Sequence, residues 1–276
     1  MPELPEVETV VRLLRQKVKG EKIVNAKILY PNLLKTDISL SAFEVDIKNR
    51  VIEDVSRIAK HIIFHLGDMV LISHLRMEGK WFIYDDEVNY NKHLEAIFEL
   101  ESGKKMAYFD TRKFGTFHYQ LKESYKELKP ISNVGPEPFN PKVDANFLVK
   151  TIGKSNKFIK TALLDQTKLS GIGNIYADEI LFKAKIHPLN RATSLKANNY
   201  EDILVASKEI LTKAIELGGS TIDSYQMEDG IDGKFQNELK VHTRKNKPCY
   251  ICGSTIEKIK VNGRGTYFCK VCQLMI

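Results

Sequence analysis

Cysteine is absent from the first 248 residues of this 276-residue chain, so no disulfide framework can organise most of it. No apolar run approaches the roughly 18 residues that a membrane-spanning helix requires. The opening Met1-Pro2-Glu3-Leu4-Pro5-Glu6 is acidic and proline-bearing, the opposite of a basic, apolar signal peptide, and a cytoplasmic protein is expected. Acid is in deficit too: 35 Asp and Glu stand against 42 Lys and Arg, a formal charge of +7. That balance suits a polyanionic partner, since each phosphate neutralised by a cation releases counterions, but it equally suits a basic, solvated surface. Placement adds to it. Lys150, Lys154, Lys157, Lys160 and Lys168 share one stretch opposed only by Asp165, while acids gather at Asp85-Asp86-Glu87.

An apolar fraction of 43% indicates a folded globular chain, and its length suffices for two domains with ample core. Val7, Val10, Val11, Leu14 and Val18 recur at helical spacing, with Pro5 suited to a first turn, which predicts a helix over 5–18. From about 22 to 120 the pattern is β. Residues 62–66 and 70–75 flank Gly67-Asp68 as a hairpin, and 93–100 and 105–109 bracket Ser102-Gly103. Four of the nine prolines, Pro130, Pro136, Pro138 and Pro141, mark a linker. Helices are expected beyond it at 157–165, 175–184 and 200–217, and residues 218–233, rich in Gly, Ser and Asp, read as a mobile loop.

Three motifs carry chemistry. Cys249-x2-Cys252 and Cys269-x2-Cys272 have the separation of a four-thiolate zinc ribbon; two disulfides are the alternative, which a cytoplasmic setting disfavours. A closed four-cysteine shell makes such a zinc structural, and Asn262-Gly263-Arg264-Gly265 between the knuckles is a hairpin tip bearing one Arg. Gly171-Ile172-Gly173-Asn174 reads as a glycine turn followed by a helix that Asn174 caps, either an ordinary helix hairpin or a site offering backbone N–H groups to a phosphate. Third, removal of Met1 would leave Pro2 as a free secondary amine. An α-amino group titrates near 8, low enough to act as a nucleophile at neutral pH; Glu3 beside it is a candidate acid/base. Taken alone, this segment reads as no more than a helix start.

Together, residues 2–9 (Pro-Glu-Leu-Pro-Glu-Val-Glu-Thr), residues 171–179 (Gly-Ile-Gly-Asn-Ile-Tyr-Ala-Asp-Glu) and the four-cysteine ribbon with Gly263-Arg264-Gly265-Thr266 resemble the formamidopyrimidine-DNA glycosylase family, in order, from residue 2 to about 273. The resemblance implies an α+β multidomain protein: an N-terminal β-sandwich with a leading helix (1–130), a proline-rich linker (131–144), a helix–two-turns–helix domain (145–235) and a zinc finger (236–276). It implies a glycosylase and AP lyase acting on double-stranded damaged DNA, with the damaged nucleotide flipped into a pocket. Pro2 matches the Schiff-base nucleophile, Glu3 the acid/base and Glu6 a pocket carboxylate. Lys60 matches a lysine of phosphate contact and β-elimination. Asn174 and Arg264 match residues that pinch the phosphates around the flipped nucleotide, Arg264 also being linked to δ-elimination. His93 and Arg112 match DNA-binding positions; Met77, Arg112 and Phe114 match residues that fill the void left by the flipped base. Lys157 and Lys160 are taken as a DNA-contacting pair, and one zinc ion is held by Cys249, Cys252, Cys269 and Cys272.

The sequence also departs from the family pattern. Arg76 and Glu78 flank Met77 where smaller residues are usual, Thr111 replaces a common proline, and Val241-His242-Thr243-Arg244 stands where Tyr-Gly is typical, which puts a tyrosine–phosphate contact in doubt. The expected activity is excision of 8-oxoguanine and formamidopyrimidines with β,δ-elimination, by a nucleoid-associated monomer. The alternatives are an endonuclease VIII-like enzyme for oxidised pyrimidines, whose opening is usually Pro-Glu-Gly-Pro-Glu, and a non-catalytic damage-binding protein, which would need neither the amine nor its neighbouring acid.

Overall fold

The computed structural model describes residues 1–220 and 233–276. These fall into two compact units: Met1–Pro2 with Glu6–Ser132, and Glu3–Pro5 with Asn133–Ser220 and Gly233–Ile276.

The leading helix α1 runs Leu4–Val18, and its predicted apolar stripe, Val7, Val10, Val11, Leu14 and Val18, is buried in the core of the first unit. After it come β1 (Ile23–Ile28), β2 (Leu34–Lys35), α2 (Leu40–Asp46), β3 (Asp54–Ile58), β4 (His61–Leu66), β5 (Met69–His74), β6 (Lys80–Tyr84), β7 (Leu94–Leu100), β8 (Lys105–Phe109) and β9 (Thr116–Leu121). They form a four-stranded sheet ordered β1-β7-β8-β6 and a five-stranded sheet ordered β2-β9-β5-β4-β3. Both expected hairpins are present, β4–β5 turning at Gly67, whose φ of 75° suits glycine. Alternate residues of the two sheets, among them Val55, Ile62, Phe64 and Phe117 from one and Ala96, Phe98, Met106 and Tyr108 from the other, share one core, which is a β-sandwich. Trp81 of β6 sits at its centre, stacked on Phe117 at 5.2 Å and edge-on to Phe64 at 5.3 Å. Its indole N–H donates to the Ser73 hydroxyl at 3.1 Å, so the large ring is buried without orphaning its donor. The outward residues Ile63, Val70 and Ile72 are covered by Tyr125 and Ile131.

The second unit holds α3 (Ala145–Thr151), α4 (Ile159–Leu163), α5 (Asn174–Lys183) and α6 (Ala197–Glu216), then the hairpin β10 (Glu257–Val261) and β11 (Arg264–Phe268). Tyr176, Ile180, Ile203 and Leu211 are among the buried side chains that pack these helices together. Helix α4 is shorter than the expected 157–165. Phe158 is extended (ψ 142°) and bridges to Arg191, so the helix starts only at Ile159. At the β10–β11 turn, Asn262 and Gly263 both have positive φ, 47° and 79°, as a two-residue hairpin of this hand demands. The loop expected over 218–233 falls largely on 221–232, outside the described residues. Among the described residues, no helix is long and apolar enough to cross a membrane.

Candidate active site

In the first unit, Pro2 is buried beside an exposed Met1, and Glu6, on the first turns of α1, is 6% exposed. Lys60 lies in the turn between β3 and β4 and is also buried, at 4% exposure. Two bonds of Arg57 shape that turn: its guanidinium donates to the Ala59 carbonyl at 2.8 Å and to the Glu8 carboxylate at 2.9 Å. Glu8 belongs to the N-terminal motif, so one arginine ties the start of α1 to the Lys60 turn. Burial raises the Glu8 pKa, but the Arg57 and Arg12 guanidinium groups outweigh it and hold the carboxyl below its ordinary value.

Met77 and Phe114, two apolar side chains left exposed by the fold, line one concavity of about 590 Å³ together with Arg76, Lys113, Lys35 and Tyr30. The loop bearing Arg112 and Phe114 is organised by a residue that motif reading missed. The buried Asp110 carboxylate accepts the backbone N–H groups of Arg112 (2.9 Å), Phe114 (3.0 Å) and Gly115 (2.8 Å). The Asp110 N–H in turn donates to the His93 carbonyl at 2.9 Å, placing His93 against the base of the loop. Arg112 lies over the Phe114 ring at 4.8 Å. An acidic residue followed two to five positions later by Gly or a positive-φ residue is the signal of such a turn, but many loops carry it.

In the second unit the expected cap of α5 is corrected. Asn174 is the first helical residue and Gly173 the N-cap, with no cap from its own side chain. The caps come from Glu3, whose carboxylate accepts the N–H of Gly173 at 2.7 Å, Ile175 at 2.9 Å and Tyr176 at 3.3 Å. The helix terminus therefore holds a carboxylate of the chain itself, which satisfies its orphan donors and complements its dipole. Leu4 N–H donates to the Gly171 carbonyl at 3.0 Å, and Gln166 brackets the glycine turn, accepting from Gly171 N–H at 2.9 Å and donating to the Ile172 carbonyl at 2.8 Å. The Asn174 amide instead donates to the Gly265 carbonyl at 3.1 Å, which sets it beside the hairpin tip and the exposed Arg264.

The expected lysine pair separates. Lys157 is exposed, whereas Lys160 is 1% exposed, paired with Asp178 at 2.7 Å, and donates to the Gly265 carbonyl at 3.0 Å and the Thr266 hydroxyl at 2.8 Å. Burial lowers the Lys160 pKa despite Asp178. The spacing placed both lysines near one turn, but only Lys157 keeps its ammonium in solvent. Asp178 also accepts the Tyr267 N–H at 3.2 Å and pairs with His242 Nδ1 at 2.8 Å. Next to it, Glu179 accepts the N–H groups of Lys240, Val241 and His242 at 2.8–2.9 Å. The Ala-Asp-Glu end of the second motif thus fastens residues 240–242 and the hairpin onto α5. Its burial explains His242 as a structural partner of Asp178.

The four cysteine sulfurs lie within 4.8 Å of one another. Cys249–Cys272 and Cys252–Cys269 are 3.9 and 3.5 Å apart. Both values are far beyond a sulfur–sulfur bond and close to the edge of about 3.8 Å of a tetrahedron with zinc–sulfur bonds near 2.3 Å. These residues fit one structural zinc with no open position.

Comparison with known proteins agrees along the whole chain. Residues 1–117 match the family model of the formamidopyrimidine-DNA glycosylase N-terminal domain, 134–226 that of its H2TH domain, and 246–274 that of the zinc finger found in FPG and IleRS. Formamidopyrimidine-DNA glycosylases of Shouchella clausii and Exiguobacterium sibiricum are 42% and 43% identical, each over 99% of both chains. Among solved structures, Lactococcus lactis Fpg in complex with DNA containing an abasic site is 39% identical with a TM-score of 0.91, covering 99% of this chain and 100% of that one. MutM in complex with DNA containing carbocyclic 8-oxo-G is similar to the same degree, 39% and 0.91, over 99% of both chains.

Proposed function

The chain belongs to the formamidopyrimidine-DNA glycosylase family, and on that premise we propose that it excises 8-oxoguanine and formamidopyrimidines from duplex DNA and then cleaves the abasic strand. The Pro2 amine, freed by loss of Met1, attacks C1′ of the damaged nucleotide. A nitrogen–carbon bond forms as the bond to the purine breaks, the base leaving with the proton that the amine gives up; protonation of O4′ by Glu3 then breaks the C1′–O4′ bond, the sugar ring opens, and an iminium remains. That iminium acidifies C2′; loss of its proton expels the 3′ phosphate, and a second elimination expels the 5′ phosphate. A one-nucleotide gap results.

Glu3 is the acid/base of this sequence, Glu6 a carboxylate of the base pocket, and Lys60 the cation of phosphate contact and β-elimination. Asn174 and Arg264 hold the flanking phosphates, with Arg264 serving the second elimination. Met77 and Phe114 replace the lost stacking and Arg112 meets the orphaned base, while His93 and Lys157 add backbone contacts. Lys160 acts from beneath, by holding the Arg264 hairpin. The zinc takes no part in the chemistry; it fixes the ribbon that presents Arg264. The protein works as a monomer on the chromosome.

One observation carries this reading: a carboxylate adjacent in sequence to Pro2 is locked by three backbone donors. A damage-binding protein would need no such fixed acid. The test is borohydride trapping on a duplex with 8-oxoguanine opposite cytosine. A covalent adduct lost in Pro2→Gly supports amine catalysis. An adduct only with oxidised-pyrimidine duplexes assigns the endonuclease VIII-like activity instead, and tight binding with no adduct on either duplex leaves a damage-binding protein.

A further inference from the structure

His74 ends β5 opposite His61, the first residue of β4, and the two rings meet edge to face with centroids 4.6 Å apart. Both are 9% exposed. Immediately after His74 the chain turns. Leu75 is buried, Arg76 adopts a φ of 52°, and the Gly79 N–H closes the turn on the Leu75 carbonyl at 2.9 Å. A left-handed conformation is unfavourable for arginine and persists only where surrounding bonds impose it. The bond that imposes it on Arg76 runs backwards: its backbone N–H donates to His74 Nδ1 at 3.0 Å. A ring nitrogen accepts only when it carries no proton. The next residue is Met77.

We propose that His74 is the positioning residue of the Met77 turn, its neutral imidazole supplying the acceptor that fixes the backbone at Arg76, so that protonating the ring releases Met77. This deepens the glycosylase reading and rests on it, through the assignment of Met77 as a void-filling side chain. The surroundings favour the neutral ring. Lys60 faces it from the β3–β4 turn, His61 from β4, His118 from β9 and Arg76 from its own turn, all cations or bases that oppose a further positive charge. Burial, foremost, and these neighbours hold His61 and His118 at about 4 and His74 well below its ordinary value. The latch is therefore closed at neutral pH and opens in acid. Its acceptor is part of the sandwich, whereas Asp110 serves the same purpose for Arg112 and Phe114 from the opposite loop.

The experiment is single-turnover excision of 8-oxoguanine opposite cytosine from pH 8 down to the lowest pH at which the protein stays folded. It compares wild type, His74→Leu, His74→Asn, Met77→Ala and the His74→Leu/Met77→Ala double variant, each checked by thermal melting. Asn places an oxygen acceptor near the Nδ1 position but does not titrate. At pH 7.5, His74→Leu is expected to slow excision about 10- to 100-fold, as befits a lost positioning contact, with the half-saturating enzyme concentration little changed. The double variant should be no slower than Met77→Ala. His74→Asn should keep most of the activity and lose the His74-linked part of the acid limb. Additive losses in the double variant, or an acid limb unaltered in His74→Asn, would overturn the proposal. A Met77→Ala protein as fast as wild type overturns it at its premise. Should the variants misfold, the wild-type Arg76 amide resonance decides: it must titrate with the His74 ring, and its indifference to that titration sinks the latch. A wild type that excises neither oxidised purine is a different failure, that of the glycosylase reading itself.

Discussion

Glu3 reaches across 170 positions of chain to Gly173, whose N–H it accepts at 2.7 Å, and the approach is possible only because residue 173 has no side chain. A methyl group there would lie 2.3 Å from the Glu3 carboxyl carbon. Gly173→Ala is therefore expected to displace the carboxylate while α5, rich in buried contacts, survives. Misplacing a reacting group by about 1 Å costs on the order of 100-fold. Borohydride trapping and circular dichroism on the same preparation check both halves of this expectation: excision slowed by that order, helix content retained.

Asp110 should behave as the keystone of its loop. In Asp110→Ala, three N–H groups lose a charged acceptor, an expected destabilisation of about 2–4 kcal/mol by urea unfolding. Asp110→Asn should rescue only part of it. Donors approach both carboxylate oxygens, so one of them must face the amide NH2 in either orientation. Because Arg112 loses its fixed backbone, discrimination between cytosine and adenine opposite the lesion should fall in both variants, measured as a ratio of excision rates.

Glu95 makes stability fall with pH where most carboxylates make it rise. The side chain is fully buried and, among the described residues, neither carboxyl oxygen has a hydrogen-bond partner. Burial, then the charge of Asp110, pushes its pKa from 4.5 to about 7, with Lys113 opposing. A folded-state pKa above the unfolded one means that the folded chain holds the proton more tightly. The contribution is thus complete below 4.5 and lost as pH rises to about 7. Glu95→Gln should remove that dependence, gaining on the order of 1–3 kcal/mol over wild type at pH 8 and little at pH 4. Urea midpoints at the two pH values decide it; equal gaps would refute the buried, proton-holding carboxyl.

Lys157 and Lys160 should part company in salt titrations. Lys160→Met leaves Asp178 buried without its cation and should cost about 3–5 kcal/mol of stability. Lys157→Ala should leave the melting curve unchanged and lower the slope of log K against log salt for duplex DNA by about 0.9, the signature of one lost phosphate contact.

Much of this was legible beforehand because it depends on local periodicity or fixed spacing. The valine stripe of α1, the Gly67 hairpin, the Asn262-Gly263 turn and the paired cysteines each declare themselves within a few residues. What escaped is what depends on distant partners. Asn174 has the right chemistry for a helix cap, but Glu3 occupies that place. Lys160 belongs by sequence to a basic stretch, yet Asp178 and the hairpin carbonyl draw it into the interior. The acceptor roles of Asp110 and His74 are equally silent in sequence, since the same residue types serve countless exposed turns. The resemblance to a family supplies candidate catalytic positions; the physical reason for their placement lies in partners far away along the chain.

The convergence on α5 also sets a schedule for synthesis. Its first turn is capped from residue 3, and its acidic pair, Asp178 and Glu179, is clasped by residues 240–242 and by Tyr267. While the ribosome is still translating, the Glu3 carboxylate has no docking place until Gly173 has emerged, and Asp178 has no hairpin until nearly the whole chain is made. Contacts of such long sequence separation close slowly. A nascent chain thus carries Glu3 from the start of synthesis, but the helix terminus that this carboxylate caps is delivered midway and the clasp on Asp178 only near the end, so the order of translation sets the order in which α5 is completed.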